Sequence, residues 1–185
     1  MKDIPRGDAE SPKARTKQFR LPHPGAGLQV LAAHEAGHVV VGLSYGGVLD
    51  KVMLMADGAT VRWLREGSKY PSNEFGIEVA GGAAGEILAF GAFSPMDCRT
   101  DRHSWLMNKD EMSRLNRKFD PVGDFLSDVD KAYEILRECA GRHQGIMSYL
   151  LTCWSNGEPV AIGEEIGDLP NIPHLGTSPG LYEDH

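Results

Sequence analysis

Cysteine is scarce in this 185-residue chain: Cys98, Cys139 and Cys153 are the only three. So few, so widely spaced, exclude a disulfide framework or a cysteine-rich zinc knuckle and make a reducing, cytoplasmic setting the expectation. No run approaches the ~18–20 uninterrupted apolar residues of a membrane helix. The opening MKDIPRGDAESPKARTKQFR carries charge without an apolar centre, so it does not read as a secretory leader. Positive charge is also limited. A net charge of −7 argues against general nucleic-acid binding, and no Lys or Arg follows Arg142. The phosphate-cradling pattern GxxxxGKS/T is missing as well, which excludes a P-loop ATPase module in this sequence.

What is present suits one domain: 41% hydrophobic and 24% charged residues are ordinary for a soluble globular fold. Residues 1–25 read as a flexible basic arm punctuated by Pro5, Pro12, Pro22 and Pro24. Residues 156–185 read as an acidic tail rich in Gly and Pro. Between them, residues 26–155 are expected to fold. LQVLAAHEAGHVVVGLSY (28–45) predicts a helix that is apolar almost all round and therefore buried, with Gly46-Gly47 as its stop. KVMLM (51–55) and ATVRWL (59–64) predict two strands joined at Asp57-Gly58. Residues 74–90 predict a second helix, whose GGAAG centre needs close packing to offset roughly 1 kcal/mol per glycine. A polar helix near 105–118, a helix over 128–139 and a short one over 144–154 complete an α+β fold, mainly α-helical.

His34-Glu35-Ala36-Gly37-His38 matches HExxH within the first helix. Four residues at 3.6 per turn put both imidazoles on one face, where they can share one Zn²⁺. Glu35 lies beside them, able to act as general base on a water at an open coordination position. These polar groups interrupt an apolar helix and would be costly there without a partner. A third histidine at the metzincin spacing is excluded, because Val41 and Ser44 occupy the required positions. His23, His103, His143, His174 and His185 stand in less regular contexts. Spacing alone leaves Glu86, Asp128, Asp130, Glu134 and Glu138 open as the third ligand.

Four segments, in order, resemble the peptidase domain of the FtsH family of ATP-dependent zinc metalloproteases. AAHEAGHVVV resembles its metal-binding helix and DKVMLMADG its substrate-side strand. GGAAGEILAFG is similar to its Gly/Ala-rich helix, and SDVDKAYEIL to the helix that donates an aspartate ligand. The resemblance spans roughly residues 28–140 and implies a zincin-like helical core with the small antiparallel hairpin at the substrate side. It implies one zinc per chain on His34, His38 and Asp128, with Glu35 catalytic and Glu86 matching a family glutamate near the metal helix that is not itself a ligand. Ala83 stands where the family usually has arginine, and residues 92–126 read as an insertion of about 25–30 residues. With no ATPase module, the implied activity is an ATP-independent endopeptidase acting on peptides or unfolded segments.

Strand 51–55 is expected to dock an extended substrate by main-chain hydrogen bonds, Val52, Met53, Leu54 and Met55 shaping pockets. Cys98 is a candidate thiolate cap on the zinc. The alternatives are a catalytically silent binding module on a peptidase fold and a peptidase subunit that needs a separate ATPase. A homo-oligomer is compatible with either; a nucleic-acid partner or a membrane segment is not expected.

Overall fold

A computed structural model describes residues 26–55, 58–65, 67–94, 98–114 and 123–169. The basic arm, Asp57, and residues 170–185 of the expected tail lie outside the described residues. The elements in order are α1 (Ala26–Ser44), β1 (Val48–Met55), β2 (Gly58–Arg65), α2 (Asn73–Val79), α3 (Gly81–Phe90), α4 (Arg99–Arg114), α5 (Gly123–Glu138), α6 (Ala140–Ser155), β3 (Val160–Ile162) and α7 (Gly163–Gly167). The fold is α+β and mainly helical, with one small antiparallel sheet. No helix among the described residues is long and apolar enough to cross a membrane.

α1 is the central post. Val30, Ala32, Ala33, Ala36, Val39, Val40 and Val41 are all buried, as an all-round apolar helix requires. Its small residues let α3 come close: a Cβ on Gly37 would lie 2.2 Å from the Gly81 carbonyl oxygen, and one on Gly85 would lie 2.4 Å from that of Ala33. Backbone-to-backbone contact of this kind is the compensation that the glycine-rich α3 needs. α6 packs on another side of α1, where the buried His143 ring sits 2.9 Å, through Nε2, from the Ala33 carbonyl.

The segment expected as one helix over 74–90 is two. Ser72 caps α2, its hydroxyl accepting the Phe75 N–H at 3.0 Å. α2 then stops at Ala80, next to Glu78, whose backbone carbonyl accepts from His38. The polar helix begins earlier than expected, at Arg99, so 16 residues of the stretch read as an insertion form one helix of the fold.

The sheet order is β2-β1-β3, all antiparallel. β3 and α7 come from the segment expected to be tail: Val160 and Ile162 face out, while Ala161 and Ile166 are fully buried. The Gly/Pro-rich composition around them concealed a three-residue strand too short to show periodicity. The addition has a consequence for substrate docking. Lys51, Val52 and Met53 pair with β2 on one side and β3 on the other, and the Leu54 N–H donates to the Pro159 carbonyl at 2.7 Å. β1 is therefore the central strand, and among the described residues β2 and β3 are the edges, β2 being the one beside α1.

Candidate metal centre

His34 and His38 stand one turn apart on α1, each held from behind through Nδ1. The His34 Nδ1–H donates to Glu86 Oε1 on α3 at 2.7 Å, and the His38 Nδ1–H donates to the Glu78 carbonyl on α2 at 3.1 Å. Glu86 is fully buried, and its other oxygen accepts the Ser94 N–H at 2.6 Å. Both Nε2 atoms are thereby turned toward the same point, 3.2 Å from each other. This is the arrangement that fixes tautomer and ring orientation in metal-binding histidines.

The third donor facing them is Asp101, in the first turn of α4. Its Oδ2 lies 2.7 Å from His34 Nε2 and 3.2 Å from His38 Nε2. Two imidazole nitrogens and a carboxylate oxygen are a donor set suited to zinc, with room for a fourth position. The space also fits. An ideal Cβ on Gly82 would lie 2.3 Å from His34 Nε2, 2.4 Å from His34 Cε1 and 2.6 Å from His38 Nε2, so any side chain there would crowd the space between the two rings. Glycine at position 82 keeps that volume open.

The electrostatics follow from this convergence. Burial by itself disfavours charged imidazoles, but the carboxylates around them outweigh it. His34 is raised well above its usual range by Asp101, Cys98 and Glu86, and His38 is raised chiefly by Asp101. For Asp101, burial pushes upward but the two histidines prevail and hold it well below the usual carboxylate range. Glu35 is raised, first by burial, with the histidines pulling the other way. A carboxylate made more basic in this way is a better proton acceptor.

A cleft of about 700 Å³ opens over these groups. His34, Glu35, His38 and Asp101 line it, with Gly58, Ala59, Thr60, Val61 and Trp63 of β2 along one wall. Val30 and Leu31 of α1 and Phe75 and Val79 of α2 add apolar surface, and Arg99, Thr100 and Ser104 of α4 stand opposite.

The structure brings His34, Glu35, His38 and Glu86 together, and Asp128 lies apart from them. It is absent from the groups of potential ligands that converge among the described residues. Its buried carboxylate instead accepts from Trp105 Nε1, Lys109 Nζ and Lys131 Nζ, each at 2.9 Å. Asp101 takes its place facing the histidines. The signal for it was a helical stripe: Asp101, Trp105, Asn108, Lys109 and Met112 recur at helical spacing, and the last four are buried. None of Val52, Met53, Leu54 and Met55 lines the cleft; β2 residues do so instead. Cys98 is fully buried near the other face of His34, its sulfur 3.9 Å from Nδ1 and 3.6 Å from Glu86 Oε1. Burial pushes its thiol up to about 12. That position supports Glu86 rather than capping the Nε2 face.

No protein-family model matches the chain, and no curated protein matches it.

Proposed function

We propose that this chain is a zinc-dependent endopeptidase that hydrolyses peptide bonds in peptides or unfolded segments without ATP. The observation that carries the reading is the convergence of His34 Nε2, His38 Nε2 and Asp101 Oδ2 beside the buried Glu35. The resemblance of the HEAGH helix and its neighbouring segments to the FtsH peptidase family, with a zincin-like core, supports it. The third ligand in this reading is Asp101 in place of Asp128.

His34, His38 and Asp101 would hold the zinc, which when bound would polarise a carbonyl and acidify water. Glu35 does the proton work: its carboxylate accepts the proton of the attacking water and returns it to the leaving amine. Glu86 and the Glu78 carbonyl keep both imidazoles presenting Nε2. The apolar cleft walls lower the local water content, which strengthens each polar interaction inside. An extended peptide adds alongside the free edge of β2, where main-chain hydrogen bonds are independent of side-chain sequence.

The test is zinc content and cleavage of an unfolded protein by the full chain. We expect about one zinc per chain, lost in Asp101→Ala. Glu35→Gln should keep the zinc and lose turnover by more than about a hundredfold. A folded, zinc-supplemented protein with no zinc would sink the reading, as would undiminished turnover in Glu35→Gln.

A further inference from the structure

We infer that Asp128 is a positioning residue for the metal centre: it fixes helix α4, and through α4 the placement of the Asp101 carboxylate. The inference rests on Asp101 being a metal ligand, and goes further by naming what holds that ligand in register. α4 is a polar helix whose first turn carries Asp101. Toward the rest of the fold it turns Trp105, Asn108, Lys109 and Met112. A lysine buried to 8% exposure is costly unless its ammonium is paired. Lys109 Nζ meets Asp128 Oδ2 at 2.9 Å, and Trp105 Nε1 donates to the same oxygen at 2.9 Å. Lys109 also stands 5.2 Å from the Trp105 ring centroid, and that ring packs edge-on against Phe125 of α5 at 5.4 Å.

Asp101, Trp105 and Lys109 follow at i, i+4 and i+8, one above another on one face of α4. Two of the three are pinned by one buried carboxylate on α5. Pinning two successive turns fixes both the rotation of the helix about its axis and its height along it. Rotation matters most for a metal ligand. A turn of about 10° moves a group at the ~5–6 Å outer radius of a helix by about 1 Å, several times the ~0.2 Å tolerance of a metal–ligand distance.

α2 completes the seat. A Cβ on Gly76 would lie 2.9 Å from Asp128 Oδ2, and Asn108 exchanges two hydrogen bonds with the Ser72 backbone, at 3.0 and 2.9 Å. Lys131, by contrast, reaches Asp128 Oδ1 from within α5 and does not restrain α4.

The experiment measures Zn²⁺ affinity of the full chain by competition with a chromophoric chelator, and the visible spectrum of the Co²⁺-loaded protein. Wild type is compared with Asp101→Ala, Asp128→Asn, Trp105→Phe and Lys131→Met. Asp128→Asn should keep its helical circular dichroism, weaken zinc binding about 10–100-fold and move the Co²⁺ spectrum toward that of Asp101→Ala. Trp105→Phe keeps an aromatic ring but loses the Nε1–H donor together with part of the buried indole volume, and should weaken binding about 3–10-fold. Lys131→Met should leave both readouts unchanged. Should Asp128→Asn not fold, Trp105→Phe decides. Wild-type affinity and spectrum in the folded variants would overturn the inference. Zinc kept by Asp101→Ala but lost from Asp128→Asn would also overturn it, by making Asp128 the ligand. A wild-type chain that takes up no zinc would instead defeat the underlying metal reading.

Discussion

The Glu86 carboxylate lies 2.7 Å from Nδ1 of His34, and both side chains are buried at the contact between α1 and α3. With that nitrogen occupied as a donor, Nε2 is left as the imidazole's only lone pair. Partners of this kind raise ligand basicity and hold the ring in place. Glu86→Gln should therefore weaken zinc binding about 10–100-fold while zinc stoichiometry at saturation stays near one. Chelator competition checks this, and unchanged affinity would separate Glu86 from the metal.

An ideal Cβ on Gly82 of α3 would lie within 2.6 Å of both Nε2 atoms. A methyl there would fall within the volume a metal would occupy, so Gly82→Ala should abolish zinc binding. The same change gains roughly 1 kcal/mol of helix propensity but forces the buried His34 ring to shift, so the variant's fold is checked beside its zinc content. Zinc analysis beside circular dichroism reads both effects. Normal zinc content in this variant would place the metal elsewhere.

The free edge of β2 gives a prediction about substrate. Ala59 lines the cleft and is half-buried. Ala59→Asp puts a charge against the docking peptide, a desolvation cost of about 1–3 kcal/mol. Cleavage of an unfolded protein should fall about tenfold or more in kcat/KM with zinc content unchanged. An unaltered rate would remove β2 as the docking edge.

His143 gives a pH dependence of stability. Burial pushes it down to about 4, against the pull of its bond to the Ala33 carbonyl. Between pH ~6.5 and ~4 the unfolded chain takes up a proton at this site that the folded chain refuses. The contribution is thus present above pH 6.5 and lost as pH falls, by about 3 kcal/mol in all. Urea unfolding of wild type and His143→Gln across that range should show wild type losing the larger share. Parallel profiles would mean that His143 titrates alike in the folded and unfolded chain.

Metal uptake should carry its own proton signature. His34 and His38 are both raised in the metal-free chain, and each must give up a proton to become a ligand. Zinc binding near pH 7 should release protons, and affinity should fall as pH falls. Calorimetry in buffers of different ionisation enthalpy checks this, and no buffer dependence would contradict it.

Local pattern made much of this molecule legible. The apolar run of α1, the HExxH spacing and the glycines after Tyr45 are contained in a few consecutive residues. A helix with that period places His34 and His38 together whatever surrounds it. Glu86 was one of five carboxylates that spacing left open, and only the family resemblance set it beside the metal helix. The carboxylate that faces the two imidazoles was not reachable in this way. Asp101 and Asp128 both sit in helical first halves with acidic and basic neighbours, and spacing cannot rank them. What separates them is the seat of α4, where Trp105 and Lys109 engage Asp128 and leave Asp101 facing the imidazoles. The strand order was decided the same way, when the three residues of β3 paired with β1 and left β2 at an edge. Helix and metal-pair geometry are set within one or two turns of chain. Which carboxylate completes the site, and which strand is free, depend on pairings between residues far apart in sequence.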